Sequence, residues 1–387
     1  MLRKTITGLC FFTLVQIAMG QNATNDLEGR INYLTTAVPF LTIPLSPTIN
    51  GVITSVPDGT SGPGIYGNPG LLALDSTRFQ ATADFVPWNR QRYPDINLFG
   101  FGAGYRLNIK HTFGLSLRYF SLHSQKTVNS TNQQFRPSEF AGTIFYTYNL
   151  DKLTGIGMGV KYIYSNLTGG YYVGGIESHP GLAIAADIGF AKQFPGRNGK
   201  IDHFIGISLK NFGSKISYTQ NSDRDFIPIT LTAGYSLRFN LTGQQSLALS
   251  YECSKLLVPT PPVYYTDSLD GKHDPVIQAG YDPNVGVFRG MIQSFYDAPG
   301  GFQEEFYEIT HSFGIVYKYR FLSAGAGYHN QSETKGNNKF FTFGLSGSIK
   351  FKRNGTSGCR MSVSYLLPVL KNSPFRNTVQ LGMNFVI

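Results

Sequence analysis

Four carboxylates lie close together in the last third of the chain, at Asp297, Glu304, Glu305 and Glu308. Clustered carboxylates are the residue type that carries acid–base chemistry or binds hard cations. Asp297 begins a turn-rich DAPGG run at 297–301 and the three glutamates follow it, with no His or Cys at metal-ligand spacing. We therefore expect a solvent-exposed acidic loop here, without catalysis or a bound metal.

Sequence motifs of known enzyme classes do not occur elsewhere in the chain: there is no P-loop, G-x-S-x-G, H-E-x-x-H or C-x-x-C. The glycines at 100, 102 and 104 form a G-x-G-x-G run, but no helix pattern follows, so a dinucleotide site is not indicated. We interpret them as strand glycines that face a crowded interior. We expect a protein that is not an enzyme, with no catalytic residues, cofactor or metal. Cys253 and Cys359 are expected to be filler, with a disulfide as the alternative.

The composition is unusual for a soluble protein of 387 residues. Charged residues make up only 14%, against about 25% in soluble domains, while aromatic residues also reach 14%. The net charge of +10 comes from scattered Lys and Arg residues, so a clustered nucleic-acid surface is not expected. This balance favours a membrane-embedded β-protein.

Residues 1–20 have the features of a secretory signal peptide, with Arg3 and Lys4 before an apolar stretch and a small-x-small site at 18–20. A membrane anchor is the alternative, but the apolar stretch is shorter than the roughly 20 residues that a spanning helix needs. No later stretch reaches that length, so membrane crossing after export requires β-strands.

Apolar and small or polar residues alternate with period two along most of the chain after residue 76. An apolar face opposite a face of Gly, Ser and Thr suits a barrel with lipid outside and a polar lumen. The fold class that follows is all-β, a transmembrane antiparallel β-barrel of about 14 strands. The expected strands are 77–86, 95–107, 111–122, 139–149, 154–166, 181–193, 201–212, 229–240, 245–256, 306–319, 321–330, 339–352, 359–368 and 376–387.

The connections alternate between short turns and longer loops, as in bacterial barrels with short periplasmic turns and long external loops. The longest expected external loop is 257–305. The last segment alternates to its final residue, which suits a strand that closes a barrel, although the last strand of a soluble sheet is the alternative.

Residues 21–75 lack such alternation and are rich in Pro, Gly, Ser and Thr. We expect this segment to plug the lumen or line the periplasmic mouth, with a loose periplasmic tail as the alternative. The expected organisation is therefore a signal peptide at 1–20, a plug or periplasmic segment at 21–75 and an outer-membrane barrel at 76–387.

Two external loops carry residue types that are typical of protein-docking surfaces, namely aromatic residues and Arg beside rigid prolines. For the single tryptophan an interfacial belt is the preferred alternative. The candidate partner-binding residues are Trp88, Arg90, Tyr93, Pro261, Pro262, Tyr264, Tyr265, Phe295, Asp297, Pro299 and Phe302.

Eight short strand and loop segments, in order over nearly the whole mature chain, form a recognisable set. The segments are TAVPFL at 36–41, PDINL at 94–98, LRYFSL at 117–122, FRP at 135–137, YIYSNL at 162–167, KLLVPTPP at 255–262, DAPGGF at 297–302 and TKGN at 334–337. They are not catalytic motifs. Together they resemble the PorV (LptO) family of the type IX secretion system in Bacteroidota.

The resemblance implies a barrel related to the fatty-acid porin FadL, with fourteen strands and an N-terminal plug. It further implies a shuttle in the outer membrane that takes cargo proteins with a C-terminal secretion domain from the translocon pore protein to the surface attachment complex. The alternatives are a FadL-like channel for hydrophobic solutes and, as the name LptO suggests, a lipid deacylase, for which no nucleophile and base are evident in the sequence. Besides outer-membrane lipid, the implied partners are all proteins.

The chain departs from the family pattern between residues 43 and 69. Where the family usually has a Gly-Met-Gly run and Trp-Asn-Pro-Ala, this chain has Asn50-Gly51-Val52 and Gly67-Asn68-Pro69-Gly70. This departure from the family pattern implies an altered plug. It also implies a divergent paralogue with a narrower client set or a different partner.

Overall fold

A computed structural model describes most of the chain after residue 31. The expected signal peptide lies outside the described residues. The described residues are 32–47, 52–57, 63–88, 95–123, 125–126, 134–170, 172–173, 176–219, 224–265, 276–351, 357–370, 373, 375–376 and 378–387.

Fourteen antiparallel strands form one closed barrel in simple sequence order, and β14 pairs with β1 to remove the open edge. Fold class and strand number are as predicted. The strands are β1 Phe79–Pro87, β2 Asn97–Arg106, β3 His111–Ser121, β4 Ser138–Asp151, β5 Thr154–Asn166, β6 Gly181–Pro195, β7 Ile201–Gly213, β8 Thr230–Thr242, β9 Gln245–Leu256, β10 Thr310–Tyr319, β11 Leu322–Asn330, β12 Lys339–Lys350, β13 Gly358–Pro368 and β14 Thr378–Val386.

Each strand turns one face to the lumen and one outward, because successive side chains of a strand point to opposite sides. In β1, Gln80, Thr82 and Asp84 are buried. Large apolar residues such as Ile144 and Val160 are exposed on the outer faces of β4 and β5. The predicted combination of a polar lumen and an apolar lipid-facing surface is therefore confirmed.

The segments that connect or precede the strands contain short helices. These are α1 Pro63–Tyr66, α2 Pro69–Leu74, α3 Val287–Gln293 and α4 Phe302–Tyr307, with 3-10 helices at Pro39–Thr42 and Glu333–Lys335. None of the helices in the described part is long and apolar enough to cross a membrane. The external connections also contain three small hairpins, Gln125–Lys126 with Gln134–Phe135, Tyr172–Val173 with Ile176–Glu177, and Val263–Tyr264 with Ile277–Ala279.

The longest connection joins β9 to β10 and spans 257–309. The sequence pattern placed the start of β10 at 306, four residues too early. Residues 302–307 instead form α4, because Glu305 and Glu308, three residues apart, both turn toward buried lysines.

The described part of the N-terminal segment runs through the lumen from the external to the periplasmic end. At the external end, the backbone N–H of Ala37 donates to the carbonyl of Phe226, 2.9 Å away, in the β7–β8 connection. At the periplasmic end, the N–H of Arg106 donates to the carbonyl of Arg78 at 2.8 Å.

Inward-facing glycines make room for this segment. A Cβ on Gly100 or Gly102 would overlap the side chain of Leu45 or Ile65, and one on Gly104 would lie 3.0 Å from Leu72 Cδ1. The interpretation of the G-x-G-x-G run as glycines facing a crowded interior is confirmed.

Candidate functional site

A buried ionic cluster fixes the long external loop to the mouth of the barrel. Lys255, at the end of β9, lies 3.0 Å from Glu305 and 2.5 Å from Glu308 through its Nζ atom. Lys335, in the short helix between β11 and β12, lies 2.9 Å from Glu308 and 2.5 Å from Glu304. One lysine from the wall and one from the β11–β12 connection thus hold two carboxylates of α4 and that of its C-cap residue, Glu308. The charged side chains are largely shielded from water.

Asp297 lies beside this cluster, fully buried. Its Oδ2 accepts the backbone N–H of Thr260 at 3.1 Å, and its Oδ1 has no hydrogen-bond partner. Burial, together with the negative charge of Glu305, raises the pKa of Asp297 to about 7. Burial also raises the pKa of Glu305, although Lys255 opposes the shift.

The expectation of a solvent-exposed acidic loop at these positions is wrong. Carboxylates are buried only when they are paired. Here the pairing lysines are distant in sequence, since Lys255 is 50 residues from Glu305 and Lys335 is 27 residues from Glu308. A signal was nonetheless present: Lys255, Asp297 and Lys335 each belong to a different one of the segments that carry the family resemblance. The structure brings those three segments together.

The N-terminal segment also reaches this cluster. The Nδ2 group of Asn32 donates to Glu304 Oε1 at 3.2 Å and to the carbonyl of Pro261 at 3.0 Å, and the Asn32 N–H donates to the Thr334 carbonyl at 3.1 Å. Asn32 therefore joins the N-terminal segment to both the long loop and the β11–β12 connection.

The candidate partner-binding residues divide into two groups. Tyr264, Tyr265, Phe295 and Phe302 are exposed, whereas the others in the described part are partly or fully buried: Pro261, Pro262, Asp297, Pro299 and Trp88. Arg90 and Tyr93 lie outside the described residues.

Trp88 belongs neither to an interfacial belt nor to an exposed surface. It continues the inward-facing series of β1 after Val86, is only 8% exposed, and packs edge-on against Phe375 with 4.7 Å between ring centroids. Strand parity, which directs even-numbered residues of β1 to the lumen, explains this position.

Helix α3 presents an apolar face that the sequence pattern did not reveal. Val287 and Met291 pack against the buried core at the mouth of the barrel. Phe288 and Ile292 are exposed on an adjacent side of the helix, and Phe295, two residues beyond its end, is exposed as well. The long loop therefore has a fixed inner face and an uncovered aromatic outer face.

Inside the lumen, Glu252 of β9 holds the N-terminal segment. Its Oε2 accepts the backbone N–H groups of Thr54 at 2.8 Å and Ser55 at 2.7 Å, and the Ser55 hydroxyl at 2.5 Å. A carboxylate that accepts three hydrogen bonds in a buried site fixes its partners firmly.

The altered Asn68-Pro69-Gly70 sequence has a structural role. Asn68 caps α2 by accepting the N–H of Gly70 at 2.9 Å, and its Nδ2 donates to the carbonyls of Ser55 at 2.9 Å and Phe190 at 2.8 Å. The departure from the family motif thus retains a cap that joins α2 to the segment and to β6.

A cavity of about 260 Å³ remains between the N-terminal segment and the wall. Its lining combines apolar side chains such as Leu41, Leu45 and Phe340 with charged ones, namely Arg118, Lys210, Glu252, Glu308 and Lys335. Arg118 donates to the carbonyls of Leu41 and Ile43, each at 3.1 Å, so its charge is engaged by the segment.

One serine and one histidine meet at the same cavity. Ser312 Oγ lies 2.9 Å from His329 Nδ1, and the His329 ring stacks on Phe340. A hydrolytic triad needs a third group that orients the imidazole. Among the described residues no carboxylate is hydrogen-bonded to His329, so the pair does not form a triad. The described residues likewise contain no group of three or more His, Cys, Asp or Glu that could hold a metal ion.

A closed antiparallel barrel with an apolar outer face, a polar lumen and long loops at one end defines an integral outer-membrane β-barrel protein. Residues 25–263, more than half of the chain, match the family described as "Type IX secretion system protein PorV". The chain belongs to this family, as its sequence signatures indicated.

Solved structures of outer-membrane channels are similar to this chain over most of its length. They include the toluene transporter TodX of Pseudomonas putida (12% identity, 92% of this chain and 98% of that chain, TM-score 0.45). The toluene transporter TbuX of Ralstonia pickettii (13%, 90% and 98%, 0.45) and a FadL homologue of Pseudomonas aeruginosa (10%, 92% and 98%, 0.41) are further examples. At these scores we draw no functional conclusion from the likeness. No curated protein matches the chain.

Proposed function

We propose that this protein is a non-enzymatic shuttle of the type IX secretion system. In this proposal it binds cargo proteins that carry a C-terminal secretion domain, receives them from the translocon pore protein and passes them to the surface attachment complex. Membership of the PorV family supports a role in that system.

The observation that carries the proposal is the fixed external loop with uncovered apolar side chains. The exposed side chains lie outside the barrel: Phe288 and Ile292 on α3, Phe295 just after it, and Tyr264 and Tyr265 near the start of the loop. Exposed aromatic groups on a rigid support suit protein recognition, because little entropy is lost when a partner binds. The ionic cluster at Lys255 and Lys335 supplies the rigidity.

The proposal is tested by replacing Phe288 and Phe295 with Ser in a tagged protein expressed in its native host. Mild-detergent purification followed by mass spectrometry should show at least a roughly tenfold loss of co-purified cargo, since each aromatic anchor is worth about 2 kcal/mol. Phe321→Ser is the matched control, because Phe321 is an equally exposed aromatic residue in the β10–β11 turn at the periplasmic end.

A second, coarser variant removes residues 264–296 while the barrel strands stay intact. Cargo that co-purifies at the wild-type level with both variants would contradict the proposed loop surface. A folded barrel, shown by its heat-dependent migration in gel electrophoresis, is required for either result to count.

The lumen cavity favours a second candidate function, a channel for hydrophobic solutes. An apolar cavity of about 150 Å³ already holds a benzene ring, and the cavity here is larger. The N-terminal segment lies across the lumen, so passage requires its displacement. Lipid-like or aromatic molecules extracted from the purified barrel, together with unchanged cargo secretion in a deletion strain, would favour the channel over the shuttle.

A further inference from the structure

Helix α4 has two chemically opposite sides. Its carboxylates, Glu305 and Glu308, turn inward to the buried lysines. Phe302 and Phe306, one helical turn apart, are 62% and 54% exposed on the other side. Glu304 is also paired, with Lys335, so none of the three carboxylates leaves its charge on the outward side.

This outward side continues the lipid-facing surface of the barrel. The Phe306 ring lies 6.1 Å, centroid to centroid, from His311, which precedes the outward-facing Phe313 by two residues in β10. On the neighbouring strand, the hydroxyl of Tyr251 lies 2.8 Å from His311 Nδ1, and its ring lies 5.0 Å from Phe313. The aromatic surface is therefore continuous from the outer face of β9 and β10 up to α4.

In outer-membrane barrels the external strand ends lie near the boundary between hydrocarbon and headgroups. Strands β9 and β10 meet the long loop at their external ends, and aromatic side chains concentrate at that level in membrane proteins. A short helix with its charges paired inward and Phe side chains outward has the polarity of an interfacial element.

We infer that Phe302 and Phe306 of α4 insert into the outer leaflet of the membrane as an interfacial anchor, while α3 faces water. The long loop then has two surfaces, a lipid surface on α4 and an aqueous surface on α3. The ionic cluster is placed between α4 and the wall, so it holds the anchor at a fixed depth. This inference concerns lipid and does not depend on the shuttle proposal.

Tryptophan fluorescence tests the inference directly, since the chain contains a single Trp, the buried Trp88. Phe306→Trp adds one reporter on α4, and Phe288→Trp adds a matched reporter on α3. Each full-length variant is reconstituted in nanodiscs whose phospholipid is brominated near the headgroup end of its acyl chains.

The indole at 306 should lose about twofold more emission in brominated than in unbrominated lipid and should resist quenching by aqueous acrylamide. The indole at 288 provides the standard for exposure to water. Phe302→Trp repeats the measurement should Phe306→Trp fail to fold.

Free quenching of both α4 indoles by acrylamide, with no effect of bromine, would overturn the inference. Protection of these indoles only when secretion-system proteins co-purify would also overturn it and would assign α4 to a protein contact. The fluorescence experiment does not depend on cargo binding. Its result therefore stays valid if the shuttle proposal fails.

Discussion

The ammonium group of Lys335 lies 2.9 Å from Oε1 of Glu308, and both side chains are almost completely buried, at 1% and 0% exposure. The two residues belong to different external connections, so their pairing ties the long loop to the β11–β12 connection. The same carboxylate of Glu308 accepts a hydrogen bond from the hydroxyl of Thr260, near the start of the long loop, at 2.7 Å. A charge pair in such surroundings is stable only when it is complete.

Replacing Lys335 with Met should therefore release the long loop while leaving the barrel closed. The change leaves the buried Glu304 carboxylate without a lysine and removes one of the two lysines that pair with Glu308. Breaking a buried ion pair typically costs about 3–5 kcal/mol. We expect protease cleavage within 257–309 to accelerate, with no change in the heat-dependent gel migration of the barrel.

A pair on the surface provides the control for this variant. Lys339 and Glu333 lie 2.8 Å apart, but Glu333 is 75% exposed. Lys339→Met should cost less than about 1 kcal/mol and leave cleavage of the long loop unchanged. If Lys335→Met and Lys339→Met change cleavage of the long loop to the same extent, the burial of the Lys335 pair does not explain how the loop is held.

The barrel strands could be predicted from the sequence because their information is local. Alternation in His111–Ser121 or Lys339–Lys350 repeats every two residues, so neighbouring positions suffice to place a strand and its faces. The same rule placed the start of β10 at residue 306, which is too early. Alternation alone does not show that α4 occupies residues up to 307 and that the strand begins only at Thr310.

The ionic cluster could not be predicted in this way because its information is long-range. Whether Glu308 is buried or exposed depends on Lys255 and Lys335, which are 53 and 27 residues away. The burial of Trp88 likewise depends on its contact with Phe375, which lies near the other end of the chain. No periodic pattern in the sequence indicates that these two residues meet.

Glu252→Ala should loosen the N-terminal segment in the lumen. The change removes the acceptor for the N–H groups of Thr54 and Ser55, and each unsatisfied buried group costs about 1–3 kcal/mol. We expect a rise in ion conductance across planar bilayers. Glu333→Gln, at an exposed site, is the control and should conduct as the wild type does; unchanged conductance in both would show that these bonds do not keep the lumen closed.

Gly206→Ala probes the same segment by steric means. A Cβ on Gly206 would overlap the carbonyl oxygen of Ser55, a backbone atom that cannot rotate away. Overpacking of this kind costs about 1–3 kcal/mol, so the thermal midpoint of barrel unfolding should fall. In Gly347→Ala the added Cβ would lie 3.7 Å from Leu322 Cδ2, an ordinary contact, and the midpoint should remain that of the wild type. Equal midpoints for the two variants would mean that Ser55 does not pack tightly on β7.

The long loop should be held more firmly in weak acid than in weak base. Burial raises the pKa of Asp297 to about 7, above the value near 4 of an unfolded or released chain. A carboxyl group with a raised folded-state pKa favours the closed loop fully below the unfolded pKa, and this contribution is lost as the pH rises through the folded pKa.

Opening of the loop should therefore increase between about pH 4 and pH 7, as Asp297 ionises beside Glu305, and should level off at higher pH. Labelling of a cysteine placed at Ser294, which is buried, measures this opening once the rate is corrected for the thiolate fraction. Asp297→Asn keeps the shape of the neutral acid but does not ionise, so the same label in that variant should show a flat profile. A pH dependence that survives in Asp297→Asn would assign the effect to another group, with Glu305 as the first to test, because its pKa is raised by burial as well.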